Sequence, residues 1–173
     1  MVFRFANAQD VPALVALVES TYRGEASRKG WTTEADLLDG QRTDAREIQE
    51  ILANPQSRII VIPGDDGALL ACCNVEKEAP GVVYFGMFSV HAQDQGKGTG
   101  RALLLEAERF AKAEWGARVM RMTVIDIRAE LIAFYERRGY VRTGEHKPFP
   151  YGDPRFGVPK RSDLRFCVLE KTL

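Results

Sequence analysis

Between Val90 and Arg101 the sequence reads Val-His-Ala-Gln-Asp-Gln-Gly-Lys-Gly-Thr-Gly-Arg. Three alternate glycines, Gly96, Gly98 and Gly100, thus separate an apolar β-like run from a segment carrying Leu103, Leu104, Ala107, Phe110 and Ala111 at helical spacing. Alternate glycines between such a strand and helix let the backbone pass close to a ligand. The first amides of the helix then have no intrahelical acceptor and lie at the positive end of its dipole, which predicts a phosphate or pyrophosphate site. Lys97 and Arg101 add positive charge there. The alternative reading is a glycine-rich turn with a purely structural role.

The charge must be local, because 24 Lys and Arg balance 24 Asp and Glu over the 173 residues. No overall field draws the chain to nucleic acid or an anionic membrane, and neither is expected as a partner. Two familiar phosphate motifs fail on these residues. A G-x-x-x-x-G-K-[ST] loop needs a glycine five residues before Gly98 and a lysine after it. A G-x-G-x-x-G fingerprint read from Gly98 meets Leu103 at its third glycine, and read from Gly96 meets Arg101.

Hydrophobic residues at 45% and charged residues at 28% describe ordinary globular chain. One domain over residues 1–173 is expected. Val2 to Ala6 reads as a short strand, and Asp10 as the cap of a helix over 10–22 with Pro12 in its first turn. Thr33-x-x-Asp36 signals a short helix before Leu37 and Leu38, and Asp44 with Glu47 a capping box for a helix ended by Asn54-Pro55. Arg58–Ile62, Ala68–Val75 and Val82–Val90 read as three antiparallel strands joined by hairpin turns at 64–67 and 79–81. Beyond the glycines come a helix, a strand over Val119–Ile125, and a helix through Leu131, Ile132 and Tyr135 ended by Gly139. Strands at Tyr140–Glu145 and Leu164–Lys171 close the chain around the Pro- and Gly-rich segment 147–160, where regular structure is not expected. The fold class is therefore α+β, a mixed and mostly antiparallel twisted sheet flanked by helices.

Cys72, Cys73 and Cys167 are odd in number, and the first two, adjacent in a strand, point to opposite faces. Buried thiols in a reducing compartment follow, and with no leader-like N-terminus the expected location is cytoplasmic. His91 and His146 are too few for a zinc site, so no metal is expected.

Gln95-Gly96-Lys97-Gly98-Thr99-Gly100 resembles the Q/R-x-x-G-x-G/A motif of the GNAT superfamily of N-acetyltransferases. Phe134-Tyr135-Glu136-Arg137-Arg138-Gly139-Tyr140 is similar to the family's second signature, at the expected order and distance. The order of elements matches over about residues 1–145, the specific motifs within 88–140. The resemblance implies acetyl-CoA as acetyl donor. It assigns the amides of Gly96, Lys97, Gly98, Thr99, Gly100 and Arg101 to the pyrophosphate, with Gln95 opening the loop, and the backbone of Phe88, Ser89 and Val90 to the pantetheine arm. It implies a bulged strand, with Gly86 the position offered, splayed from the next to leave an unpaired edge. Arg128 stands seven residues before Tyr135, where many members have Asn, and is assigned to the cofactor or to capping the helix.

Tyr135 holds the position of the family's general acid, which would protonate the departing thiolate, and an amide near Val90 would stabilise the oxyanion. His91 reads as structural. Glu76, Glu78, Asp126 and Tyr84 are candidates for a base, beside a water path. The acceptor, a small-molecule amine or a peptide amine, is expected between 22–41 and 145–163. Trp31 there offers an aromatic wall, Glu25, Glu34 and Asp36 offer carboxylates for a cation, and Tyr84 and Asp126 are further substrate candidates. Lys147, Arg155, Lys160 and Arg161 beside Phe149, Tyr151 and Phe156 suit an acidic acceptor equally well. A homodimer through the last strands is compatible with this layout. A non-catalytic acyl-CoA-binding domain is the alternative to an enzyme.

Overall fold

The computed structural model describes residues 1–173. A two-residue strand β1 (Arg4–Phe5) leads to helix α1 (Val11–Tyr22), whose Pro12 occupies the first turn, where its missing N–H costs nothing. Asp10 does not cap α1 with its side chain: the carboxylate turns back onto the Asn7 amide at 2.8 Å and onto Arg4 at 2.7 and 2.8 Å. After a single helical turn α2 (Gly24–Ser27), the helix expected before Leu37 does not form. Strand β2 (Leu38–Asp39) pairs instead with β8 (Val158–Pro159), and the Leu37 carbonyl accepts from the Lys160 amide at 2.9 Å. Thus a contact made across some 120 residues overrides the local cap signal, and it gives segment 147–160 a short strand and a 3₁₀ turn, Pro154–Phe156.

Helix α3 (Ala45–Ala53) starts at Asp44, whose side chain accepts from the Glu47 amide at 2.8 Å. Only half of a capping box is present, because the Glu47 carboxylate accepts from Thr43 Oγ1 at 2.6 Å. Strands β3 (Ser57–Pro63), β4 (Leu69–Ala79) and β5 (Val82–Val90) follow as antiparallel neighbours, then α4 (Thr99–Trp115), β6 (Val119–Ile125), α5 (Ala129–Glu136), β7 (Val141–Pro148) and β9 (Arg165–Thr172). The main sheet has seven strands in the order β1-β3-β4-β5-β6-β9-β7, and only β5 and β6 run parallel.

Helices cover both faces, and the strands sort their side chains between them with period two. Ile60, Ile62, Cys73 and Val75 pack with α4 and α5 residues such as Leu103, Leu104 and Ile132. Ile59, Val61 and Cys72 join Leu14, Val18 and Ile48 of α1 and α3. The adjacent cysteines do face opposite layers, and each fully buried aliphatic side chain contributes about 1.5–3 kcal/mol.

Strand β5 breaks this alternation. Gly86 pairs with Asn74 and Ser89 with Cys72, so Met87 and Phe88 together face the single residue Cys73. Met87 adopts φ +50°, the one non-glycine residue with positive φ, and carries the bulge beside the position expected at Gly86. Its side chain joins the α1 layer, whereas Val83, Phe85 and Val90 lie in the α4 layer with Phe88 packed against them. The bulge therefore switches the α4 face from odd to even residues. The parallel pairing of β5 with β6 also ends early, at Tyr84 opposite Arg121. Beyond it the strands diverge, while β6 stays paired to β9 from Val119 to Ile125.

Candidate active site

The glycine loop presents an unusual run of free donors. Gly98 takes φ +86° at the N-cap of α4 and offers no side chain, and Gly96 takes φ +78°. The first amide to find an acceptor is that of Ala102, on the Gly98 carbonyl at 2.9 Å; the six amides from Gly96 to Arg101 donate to no protein group. Nothing lies within 4 Å of where a Cβ on Gly96 or Gly98 would stand, so the space above them is open. Gly100 has a different reason: a Cβ there would stand 3.1 Å from Phe88 Cζ and 3.3 Å from Val90 Cγ2, so glycine lets α4 seat on β5.

Beside the loop, a concavity of about 450 Å³ is lined by Arg101, Arg137, Arg138, Lys171 and Glu108. Arg138 lies 3.5 Å over the Phe134 ring, donates to the Phe134 carbonyl at 2.7 Å, and leaves a buried Nε without a partner. Burial, with Arg137 and Arg101 close by, depresses its pKa. Clustered cations that repel one another and a run of free amides form a donor set suited to several phosphate groups. Arg137 and Arg138 were not singled out from sequence, although both sit within the second signature.

Where β5 and β6 part, a cavity of about 360 Å³ opens between Tyr84, Phe85, Gly86, Met87 and Phe88 on one side and Met122 to Ile125 on the other. The Phe88 carbonyl accepts from Tyr22 Oη, and the Val90 carbonyl from Gln95 Nε2 at 3.0 Å. Both carbonyls therefore face away from β4, and since the N–H and C=O of a regular strand residue share an edge, the Val90 amide, beyond the bulge, faces away from β4 too. Gln95 further donates to Thr32 Oγ1 at 3.1 Å and accepts from the Trp31 amide at 3.0 Å. It is a bracket between the glycine loop, the end of β5 and the 31–32 segment.

Tyr135 lines this cavity, 4% exposed, among Phe88, Phe134 and Tyr140. Four of the five tyrosines place their hydroxyl on a protein partner: Tyr22 on Phe88, Tyr84 on Thr123 at 3.0 Å, Tyr140 on Glu108 at 3.0 Å, Tyr151 on Arg161 at 2.9 Å. Tyr135 alone does not. Burial raises its pKa well above 10, so the hydroxyl keeps its proton at neutral pH. Tyr22, not singled out from sequence beyond the face of its helix, lines the same cavity with its pKa pushed up to about 12 by burial.

On the acceptor side several expectations need correcting. Glu34 lines the cavity but is not free for a cation: Oε1 accepts from Arg23 Nη1 at 2.6 Å and Oε2 from Arg128 Nη1 at 3.0 Å. Burial alone would raise the Glu34 carboxyl, but Arg128, Arg23 and Arg42 more than reverse this and hold it below its ordinary value. Arg128 neither caps α5 with its side chain nor reaches the glycine loop; it grips Glu34 and the Thr32 carbonyl. Trp31 is 43% exposed and leans on Phe134, 5.7 Å between centroids, outside the cavity wall. Asp126 is tied to Arg165 at 2.5 Å, and Glu78 to Arg121 at 2.7 Å, so neither faces the cavity. Of the four proposed bases only Tyr84 is in the wall, while Glu47 and Arg42, read from sequence as helix-start residues or not at all, are there. Of the late segment, Phe149 and Phe156 reach the cavity. No helix is long and apolar enough to cross a membrane.

The model of the Acetyltransferase (GNAT) family matches residues 17–140, well over half of the chain. Among solved structures, a nourseothricin acetyltransferase is 27% identical with a TM-score of 0.57, over 68% of this chain and 66% of that one. A ribosomal-protein-alanine N-acetyltransferase from Brucella melitensis is 20% identical with a TM-score of 0.70, over the whole of both chains. A spermidine N-acetyltransferase chimera from Vibrio cholerae and hSSAT is 13% identical with a TM-score of 0.69, over 99% and 96%. No curated protein matches the chain. The bulged and splayed β5, the glycine loop that follows it and the family match agree, and the chain belongs to the GNAT acetyltransferase family.

Proposed function

We propose that this protein transfers an acetyl group from acetyl-CoA to a primary amine by direct attack, with both substrates bound together. The observation that carries this reading is that six unpaired amides, Gly96 to Arg101, and the one unpartnered tyrosine hydroxyl, Tyr135, flank the two ends of the same strand edge at Phe88 and Val90. The residues fit the donor: the amides and Lys97 suit a pyrophosphate, Arg101, Arg137 and Arg138 a further phosphate, and the edge of β5 a chain with amide groups. Bound there, acetyl-CoA supplies an activated thioester carbonyl.

The chain's own residues then position and exchange protons. The Val90 amide faces the opening and suits a carbonyl oxygen that gains negative charge. As the C–N bond forms and the C–S bond breaks, the thiolate takes the Tyr135 proton, and the amine's surplus proton leaves through the cavity mouth and returns to the phenolate by water. Burial keeps the Tyr135 phenol protonated at neutral pH, ready to donate, and the apolar wall of Phe85, Phe88 and Leu131 limits the water beside the reacting groups. Most of the acceleration is positioning.

The test compares thermal shifts with acetyl-CoA, CoA, NADH and ATP, followed by thiol release across an amine panel. A ligand that binds the folded chain raises Tm in proportion to the logarithm of its concentration over Kd. Shifts with acetyl-CoA and CoA together with amine-dependent thiol release are expected. Binding without transfer to any amine would favour a binding module, and no shift with either would remove the reading.

A further inference from the structure

The cavity that would hold the amine carries more cations than carboxylates, and one of those cations makes no ion pair. Three arginines, Arg23, Arg42 and Arg128, line it against two carboxylates, Glu34 and Glu47. Both oxygens of Glu34 are occupied by Arg23 and Arg128, and Glu47 accepts from Thr43. Arg42 pairs with neither. Its backbone is fixed, since the Arg42 and Thr43 amides both donate to Glu19 Oε1, at 2.6 and 2.7 Å, and its guanidinium lies 5.5 Å over the Tyr22 ring. Yet that guanidinium, half-buried in the cavity wall, donates to no protein acceptor. Glu34 and Glu47 lie near enough to favour the Arg42 charge, yet neither accepts a hydrogen bond from it, so its fork of donors is open to an anionic group in the cavity.

Resting on the acetyltransferase reading, we propose that the acceptor is a small amino acid, whose free carboxylate pairs with Arg42 while its amine faces the β5 edge. The planar fork of a guanidinium matches a carboxylate in two parallel bonds, which also fixes the orientation of the attached amine. Phe149, Phe156, Leu38 and Ile51 complete the wall, so the side chain accommodated is apolar. A volume of about 360 Å³ lies at the low end for small-molecule sites and suits an acceptor of amino-acid size. A polyamine would bring two or more further positive charges beside three arginines that face only two carboxylates. A peptide N-terminus lacks the carboxylate and leaves Arg42 unpaired.

The test gives the full-length enzyme leucine, methionine and phenylalanine, each beside its amide and its decarboxylated amine, with spermidine as a fourth class. The wild type should favour the amino acids over the matching amines by about 10- to 100-fold in kcat/KM, the range for a charge-assisted hydrogen-bonded pair. In Arg42→Gln the ratio should collapse towards unity, mainly through the amino acid's KM, and Arg42→Lys should restore part of it. Because the readout is a ratio within one preparation, partial misfolding of a variant does not disturb it. Equal or better transfer to amines, amides or spermidine in the wild type overturns the proposal and leaves the acetyltransferase reading standing. An amino-acid preference that survives Arg42→Gln overturns the role of Arg42. Transfer to none of these, with no thermal shift by acetyl-CoA, overturns both readings; transfer to none despite that shift overturns this one.

Discussion

Replacing Glu34 by glutamine isolates the charge at the centre of the arginine network while keeping its volume. The wild-type carboxylate lies 2.6 Å from Arg23 and 3.0 Å from Arg128, with side chains 9%, 5% and 10% exposed respectively. The substituted amide retains one acceptor oxygen, so much of the hydrogen bonding survives, but three arginines then face Glu47 alone. Breaking a buried ion pair from one side costs about 3–5 kcal/mol, because the remaining cations are desolvated without compensation. For a chain of this size about 2–4 °C of Tm follows each kcal/mol, so a fall of about 6–20 °C is expected by calorimetry, with an unchanged urea m-value. The pH dependence supplies a second readout. The Glu34 carboxyl sits below its ordinary value of 4.5 in the folded chain, so its contribution is complete above that pH and is lost as pH falls through the lower folded value. The difference between wild type and Glu34→Gln should therefore be constant at neutral pH and close on acidification. A loss below about 1 kcal/mol at pH 7 would refute the reasoning, since it would mean that water in the cavity already screens these arginines.

Tyr135→Phe should lower kcat by about 100-fold or more with an unchanged Kd for CoA and little change in Tm, because the hydroxyl has no protein partner to lose; stopped-time acetylation assays and calorimetry read both. Gly98→Ala imposes φ +86° on a residue with a Cβ but meets no atom within 4 Å, so it should cost about 1–2 kcal/mol of stability and weaken CoA by titration calorimetry. Cys72, pushed up to about 12 by burial, Cys73, raised well above 9 by burial, and buried Cys167 should resist a thiol reagent in the native state. Counting reactive thiols before and after denaturation checks this.

Those elements legible in the sequence are the ones whose pattern is local. Helix α1 and strands β3 and β5 fall within one residue of their expected spans, since period and turn residues suffice to mark them. Strand β4 runs on to Ala79 past the expected end at Val75, because Glu76-Lys77-Glu78 lies on an exposed ribbon where pairing with β5, not hydrophobicity, continues the strand. The ribbon of β2 and β8 and the turn at 33–38 were not legible, their partners lying far away in sequence. The site shows the same division. Its glycine loop and Tyr135 follow from motif spacing, whereas the fate of Glu34, Arg128 and Asp126 depends on which cation stands opposite, and that is a property of the packed chain.

Gln95 and Gly30 form another such pair. A Cβ on Gly30 would stand 2.7 Å from Gln95 Nε2 and 2.9 Å from its Oε1. That amide end could swing aside only by giving up its bonds to Trp31, Thr32 and Val90. Evolutionary drift at these two positions, 65 apart in the chain, is therefore not independent. A chain that gains a side chain at position 30 must also re-solve position 95, so the segment around Trp31 and the glycine loop cannot be altered separately.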